Sequence, residues 1–447
     1  MALAERLQGT IRLPADKSIA HRALLLAAMG AGSATVTAYR PGADVLSTAS
    51  ALATLGCAYR TSDDGEPTVR FHVTGGGTTS RAGLPLGPAR EVTLDCGNSG
   101  TLMRLLAGAA TTRPGRTVLV GDPYLSVRPM DRIALPLRSI GADVSATDGR
   151  PPLVIEGGTQ LEPGTHSLEV ASAQVLGAIL LASLPTPGTT EVEVPGPTRD
   201  HTERMLAWLG VDVERDGRTT RLRGPSGWEA RDVVVPADPS AAAFWLVAGA
   251  VHPDASITLP HVGLNPTRLG VVRVLERMGA QITLAPAGEE GPEPAGDLTV
   301  VSAGRLEAVD LGPEDVADVI DELPVLAVAM ASAHGTSTVT GAGELRVKES
   351  DRIRLVVDGL AALGVDVTET PDGWRITGSP VRAAGPEGST PEEGTPSEIV
   401  TGGDHRIAMA FAVADLVGVG TRGAVVDDPE CAAVSYPTFW EDLEGLR

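Results

Sequence analysis

One kind of segment recurs six times along the 447 residues, and that repetition restricts the fold more than any other property of the chain. A short stretch of Gly, Pro, Ser, Asp and Asn leads into an Ala/Leu-rich helical run, then a turn, then a Thr/Val-rich strand. The copies open at PADKSIAHRALLLAA (Pro14), LDCGNSGTLMRLLAG (Leu94), EVASAQVLGAILLAS (Glu169), VPADPSAAAFWLVAG (Val235), DVIDELPVLAVAMAS (Asp318) and TGGDHRIAMAFAVAD (Thr401). A second marker keeps the same period: a helix end rich in Leu, a glycine and a new strand, as in LATLGCAY, LRSIGADV, LAWLGVDV, LERMGAQI and LAALGVDV. Their glycines, Gly56, Gly141, Gly210, Gly279 and Gly364, suit the left-handed position that stops a helix. The sixth copy ends at WEDLEGLR, before its glycine.

Six βα-containing units of roughly 65 to 85 residues predict an α/β chain of two domains with three units each. The length alone exceeds what one core usually serves. The run VVVPADPS around Pro236 is the expected crossover. The stretch RAAGPEGSTPEEGTPSEIVTGG from Arg382 has little apolar content and is expected to be a mobile surface loop.

The net charge of -21 argues against a nucleic-acid or anionic-membrane partner, so any anionic ligand must meet a local basic site. Cys57, Cys96 and Cys431 form no CxxC pair and are expected to be small buried side chains in a reducing compartment. MALAERLQGTIRLP lacks the pattern of an export signal, and apolar runs such as AAAFWLVAGAV from Ala241 are too short to span a bilayer, so a cytoplasmic protein is expected.

Each unit sets polar residues just before an apolar helix, where unpaired N–H groups and the dipole favour an anion. Ser, Asp and Asn there can also serve only as helix caps. Cations beside them argue for more: Lys17 and Arg22, Arg128 in YLSVRPMDR, Arg199 in PTRDHTER, Lys348 and Arg352 in ELRVKESDR, and Arg406 in GDHRIAM. Arg suits bidentate contacts to carboxylate and phosphate, and Lys supplies a compact charge. His21, His201 and His405 stand near these motifs and are expected to be hydrogen-bonded structural side chains.

Taken in order from near Gly9 to Pro437, PADKSIAHRALLLAA, LDCGNSGTLMR, GDPYLSVRPMDR, ASAQVLGAILLA, RDHTERML, LNPTR, IDELPVLAVA, ELRVKESDRI and GDHRIAMAF resemble the signatures of the EPSP synthases, the 3-phosphoshikimate 1-carboxyvinyltransferases. The SAQ and RDHTE wording is similar to the branch called class II. The resemblance implies the two-domain enolpyruvyl transferase fold of six βαβαββ repeats, closing on substrate around two chain crossovers. Residues 1–14 with 236–447 would form one domain and 15–235 the other. It also implies transfer of the carboxyvinyl group of phosphoenolpyruvate to the 5-hydroxyl of shikimate 3-phosphate, on the route to chorismate and aromatic amino acids.

Carried over by that resemblance, Lys17, Ser18, Arg22, Ser172, Ala173, Gln174 and Arg199 would hold shikimate 3-phosphate, with Asp321 and Lys348 beside its reacting hydroxyl. Lys17, Asn98, Gly100, Arg128, Gln174, Arg352 and Arg406 would hold phosphoenolpyruvate. Asp321 would be the base at the 5-hydroxyl, Glu349 would handle the methylene proton, and Lys17 and Lys348 would stabilise charge. The chemistry needs such a pair, because the enol carbon becomes electrophilic only when its neighbour is protonated while the hydroxyl loses its proton. No cofactor or metal is expected, and neither is any partner beyond the two small-molecule substrates; the chain is expected to act as a monomer.

Three positions depart from the family pattern. Ala15 stands where many members have glycine, Ala173 removes a serine phosphate donor, and Val434 stands where some members place a lysine. By the same resemblance Gly100 would leave room beside phosphoenolpyruvate for glyphosate to compete, whereas the class II features elsewhere pull the other way. The sister enzyme acting on UDP-N-acetylglucosamine carries a cysteine before its Arg-Pro dipeptide; GDPYLSVRP has none, and Lys17-Ser18 replaces its Lys-Asn. A paralogue acting on another hydroxylated ring acid or phosphate remains as an alternative, as does a non-catalytic phosphometabolite-binding protein. No GxxxxGK[ST] run points to a phosphate-cradling kinase.

Overall fold

The computed structural model describes residues 6–62, 67–87, 90–159, 161–288, 291–379 and 396–446. The chain divides into two compact units. A terminal unit comprises Met1–Pro14, Ala237–Gly288 and Pro294–Arg447, and a central unit comprises Ala15–Pro236 together with Glu289–Glu293.

The repeat is plainest in the central unit. Strand Glu91–Asp95, helix Gly100–Ala110, strand Gly115–Val120, helix Asp131–Ser139 and the hairpin Asp143–Thr147 with Arg150–Gly157 follow in order. The first two strands pair parallel, with Leu94 opposite Leu119, and the hairpin adds antiparallel pairs, Val118 with Val154 and Val144 with Ile155. Alternation puts Thr117, Leu119, Leu153 and Ile155 on the buried face. Among the described residues five sheets have this four-stranded order and a sixth has two strands.

Two repeats take their first strand from a distant part of the chain. Leu7–Thr10 runs parallel to Ala255–Gly263, with Leu7 opposite Ala255, and Val233–Val234 runs parallel to Ser33–Tyr39, with Val233 opposite Val36. The related sequences PADK and PADP lie at the resulting crossovers. Asp16 N–H donates to Pro236 O at 2.8 Å in the central unit, and Asp238 N–H to Pro14 O at 3.0 Å in the terminal one.

In the terminal unit the helices Pro239–Val251, Leu323–Ala331 and His405–Leu416 pack on one another and are buried nearly all round. Their sequences offer no polar face, so only a central position satisfies them. Trp245, fully enclosed there, donates its indole N–H to Tyr436 Oη at 3.0 Å. The counterparts in the central unit are Lys17–Met29, Gly100–Ala110 and Ala173–Ser183. A Cβ on Gly108 would come within 2.1 Å of Ala178 O, so glycine is what lets the last two helices approach. Outer helices are amphipathic: Gly270–Arg277 buries Val271, Val274 and Leu275 and turns Arg273 and Arg277 to Asp318 and Asp315.

The five glycines that mark the repeat all have left-handed φ, from 73° at Gly56 to 99° at Gly279. The fifth copy opens in a break: helix Pro313–Val319 ends before Ile320–Glu322, and the apolar helix Leu323–Ala331 follows with Pro324 in its first turn. One detail differs from expectation. Residues 382–395 of the expected surface loop lie outside the described residues. The remainder is not all loop, because Ser397–Ile399 forms a strand parallel to Ala424–Val426. This sixth sheet stops at two strands among the described residues, and the chain ends in helix Phe439–Gly445. No helix among the described residues is long and apolar enough to cross a membrane.

Candidate active site

In the central unit the starts of the three inner helices are tied to one another. Asp16 caps the Lys17 helix by accepting from Ser18 N–H at 2.7 Å, Ser99 caps the Gly100 helix, and Ser172 caps the Ala173 helix through Val175 N–H. Between the first two, His21 is enclosed by Thr48 Oγ1 at 2.6 Å from Nδ1 and Ser99 Oγ at 3.2 Å from Nε2. Burial, only partly opposed by Asp44, lowers its pKa to about 4, so the ring is neutral at pH 7. Between the second and third, Gln174 donates to Thr101 Oγ1 at 2.9 Å and accepts a short hydrogen bond from Arg104.

The cations of this unit are held by those helix starts. Lys17 Nζ lies 3.0 Å from Asp44, itself in the first turn of helix Ala43–Thr54. Arg22 is buried and donates to Thr202 Oγ1 at 2.8 Å and Ser18 O at 2.9 Å. Burial lowers its pKa to about 10, opposed by Glu203, Asp16 and Glu293 and assisted by Arg199, and it stays protonated at neutral pH. Arg128 Nη2 donates to Asn98 Oδ1 at 2.9 Å. Gly100 opens its helix beside this pair; a Cβ there would sit 3.3 Å from Arg128 Nη1. His201 is buried against Glu293, with Nδ1 and Oε1 2.7 Å apart.

In the terminal unit the same helix starts are surrounded by carboxylates. Arg352, 1% exposed, is the hub. Its Nε lies 2.8 Å from Asp404 Oδ2, Nη2 2.7 Å from Glu349 Oε2, and Nη1 3.7 Å from Asp321 Oδ1. Burial works against this charge, but Asp404 and Glu349 outweigh it and hold the guanidinium above its ordinary pKa. Burial likewise disfavours charge on Asp404, yet Arg352 and His405 keep that carboxyl below the usual range. Lys348 Nζ stands 3.8 Å from Asp321, and Arg406 Nη1 donates to the Asp321 carbonyl at 2.9 Å.

Local sequence explains how these side chains are presented. In RVKESDR, Arg346 clamps the turn by bonding Asp351, Glu369 and the Pro371 carbonyl, and Asp351 caps the Arg352 helix. Lys348 and Glu349 are thereby fixed between a 3-10 turn, Gly343–Val347, and that helix. Asp321 sits in the break between helices noted above.

Within the central unit Lys17, Ser18, Arg22, Asn98, Gly100, Arg128, Ser172, Ala173, Gln174 and Arg199 all lie at or beside starts of its helices. Within the terminal unit Asp321, Lys348, Glu349, Arg352 and Arg406 gather about one guanidinium. Comparison with known proteins identifies the family. Residues 2–443 match the family model for EPSP synthase (3-phosphoshikimate 1-carboxyvinyltransferase). The chain belongs to the EPSP synthase family.

The 3-phosphoshikimate 1-carboxyvinyltransferase of Akkermansia muciniphila is 44% identical over 443 residues, covering 98% of this chain and 97% of that one. That of Halorhodospira halophila is 46% identical, with 98% and 94% covered. The EPSP synthase structure from Acinetobacter baumannii superposes with a TM-score of 0.82 at 38% identity, over 99% of this chain and 96% of that one. The enolpyruvyl transferase NikO from Streptomyces tendae shares the fold, with a TM-score of 0.73 at 20% identity over 99% and 95%.

Several residues that shape the site of this EPSP synthase family member are not apparent from sequence. Asp44 is 27 residues from Lys17 and Asp404 is 52 from Arg352, so only helix packing pairs them. Asp404 was within reach as the acidic residue of GDHRIAM, and Arg104 as the last residue of LDCGNSGTLMR. Glu322 had no signal beyond its place next to Asp321. Cys57 and Cys96 are buried as expected, whereas Cys431 is only partly buried because it lies in the short turn Pro429–Val434; burial raises the pKa of Cys57 to about 11 and of Cys431 to about 12, and Cys96 is pushed higher still. Among the described residues no group of three or more His, Cys, Asp or Glu could hold a metal ion.

Proposed function

We propose that the chain transfers the carboxyvinyl group of phosphoenolpyruvate to the 5-hydroxyl of shikimate 3-phosphate, releasing inorganic phosphate and giving 5-enolpyruvylshikimate 3-phosphate in the pathway to chorismate. The observation that carries the reading is the buried Arg352 with Asp321, Glu349 and Asp404 around it. A phosphoenolpyruvate carboxylate arriving at Arg352 competes with Glu349 for the guanidinium. Glu349, released from the ion pair, can carry a proton to the methylene carbon. Asp321, beside Lys348, takes the proton of the 5-hydroxyl as its oxygen attacks C2. The tetrahedral adduct then loses phosphate by C–O cleavage and returns a proton from the methyl group.

Lys17, Arg128, Arg352 and Arg406, with Asn98, Gly100 and Gln174, hold phosphoenolpyruvate. Lys17, Ser18, Arg22, Ser172, Ala173, Gln174 and Arg199 hold shikimate 3-phosphate, with Asp321 and Lys348 at its hydroxyl. Fixed cations stabilise the adduct, which carries two phosphates and two carboxylates, better than mobile water does. Asp44 keeps Lys17 in place until substrate phosphate replaces it.

The net charge of -21 supports action without nucleic-acid or anionic-membrane partners. A cytoplasmic monomer is proposed, and gel filtration of the 45.9 kDa chain tests its oligomeric state. NMR of the purified protein with both substrates tests the reaction. Equal consumption of the two, with a new enol ether and inorganic phosphate, is expected; phosphoenolpyruvate consumed without loss of shikimate 3-phosphate contradicts it.

A further inference from the structure

Glu322 is the first residue of the Leu323 helix turn, at its N-cap position, yet its side chain caps nothing there. It is 5% exposed and points instead to two other helix starts of the same unit. Ser240, in the first turn of Pro239–Val251, donates a short hydrogen bond to Glu322 Oε1. Arg406, in the first turn of His405–Leu416, brings Nη1 to 4.0 Å from the same oxygen. Glu322 thus joins the starts of all three inner helices.

The direction of the hydrogen bonds is fixed from behind. Arg268 Nη2 donates to Ser240 Oγ at 2.8 Å and to Asp238 Oδ1 at 2.9 Å. Because guanidinium groups only donate, Ser240 must accept from Arg268 and can give its own proton only to Glu322. Asp238, Arg268, Ser240, Glu322 and Arg406 are all buried, so the alternating charges interact in a medium that weakens them little. Arg406 in turn donates to the carbonyl of Asp321, the neighbour of Glu322 in the chain.

We infer that Glu322, oriented by Ser240 and Arg268, is a positioning residue that sets the guanidinium of Arg406 for phosphoenolpyruvate. It does not touch substrate. It supplies the counter-charge that selects one side-chain arrangement of Arg406 and, through it, steadies the backbone that presents Asp321. The inference rests on the assignment of Arg406 to phosphoenolpyruvate proposed above.

The test is steady-state kinetics on full-length Glu322→Gln, Ser240→Ala, Arg406→Lys and the double variant Glu322→Gln with Arg406→Lys, each checked by thermal melting. Glu322→Gln keeps the shape and the acceptor for Ser240 but removes the charge. Its KM for phosphoenolpyruvate is expected to rise about ten-fold, with that for shikimate 3-phosphate within about two-fold; Ser240→Ala moves it the same way by less. In the Arg406→Lys background the Glu322 effect disappears, since the two residues act as one. A phosphoenolpyruvate KM within about two-fold of the parent in both Glu322→Gln and Ser240→Ala, or equal increases for both substrates, overturns the inference. An Arg406→Lys variant with unchanged KM for phosphoenolpyruvate overturns the site assignment itself, and the inference falls with it.

Discussion

The two units are built from the same repeat, yet their helix starts carry different chemistry. In the central unit the inner helices are capped by Asp16, Ser99 and Ser172, and Arg22, Arg104 and Arg128 donate to Thr202, Gln174 and Asn98, all neutral acceptors. In the terminal unit Arg352 and Arg268 are met by Asp404, Glu349 and Asp238, and Lys348 faces Asp321. One set of helix starts presents arginines bonded to neutral groups; the other is a network of arginine, lysine and carboxylate side chains. Helix dipoles are common to both. Lys17 of the central unit also meets a carboxylate, Asp44, so the difference lies in the arginines: Arg22, Arg104 and Arg128 bond hydroxyl and amide groups, whereas Arg352 and Arg268 bond carboxylates.

The largest effect should follow from removing that proton chemistry. Asp321→Asn or Glu349→Gln is expected to lower kcat by about 10²- to 10⁴-fold while the melting temperature stays near that of the parent. Near-normal turnover in either purified variant removes that residue from the mechanism. Next comes the hub. Arg352→Met leaves Asp404 buried without its main counter-charge, and denaturant unfolding should show a loss of about 3–5 kcal/mol. Arg22→Met in the central unit, whose acceptors are neutral, should be much milder in the same assay and act on the KM for shikimate 3-phosphate. Equal losses would erase the distinction between the units.

A third effect distinguishes them by pH. His21 is held at about 4 in the folded chain against an unfolded value near 6.5, so the unfolded state binds the extra proton between those limits. Stability is therefore full above about pH 6.5 and falls as the pH drops toward 4, by roughly 3 kcal/mol. Replacing His21 with Asn should flatten stability in that window, as urea melts from pH 7 to 4 would show; an unchanged slope contradicts the assignment. The smallest effect belongs to Gly100→Ala. Its Cβ would meet Arg128 Nη1 at 3.3 Å, so the KM for phosphoenolpyruvate should rise by a few-fold and kcat change little.

Much of this architecture is legible in the sequence because its signals are local. A glycine after Leu-rich helix ends and an inner helix with no polar face can each be read within a few turns of chain. The strands Leu7–Thr10 and Val233–Val234 carry no local mark of their distant partners. The cations proposed to touch substrate stood out in an acidic chain, whereas Asp321 and Glu349 were marked only by the family motifs around them. Asp44 and Glu322 carried no such mark, because they become meaningful only when helix packing fixes what each one faces, and Asp404, although inside GDHRIAM, needs the same packing to meet Arg352. The break at Ile320–Glu322 falls in the polar opening of the fifth copy, where Pro324 marks the start of the apolar helix.

The most direct measurement is phosphate release by the purified protein given phosphoenolpyruvate, with shikimate 3-phosphate or UDP-N-acetylglucosamine as acceptor and no added metal. Release that depends on shikimate 3-phosphate and is absent with the nucleotide sugar is the predicted result. A folded protein that binds phosphoenolpyruvate but releases no phosphate with shikimate 3-phosphate would contradict the account.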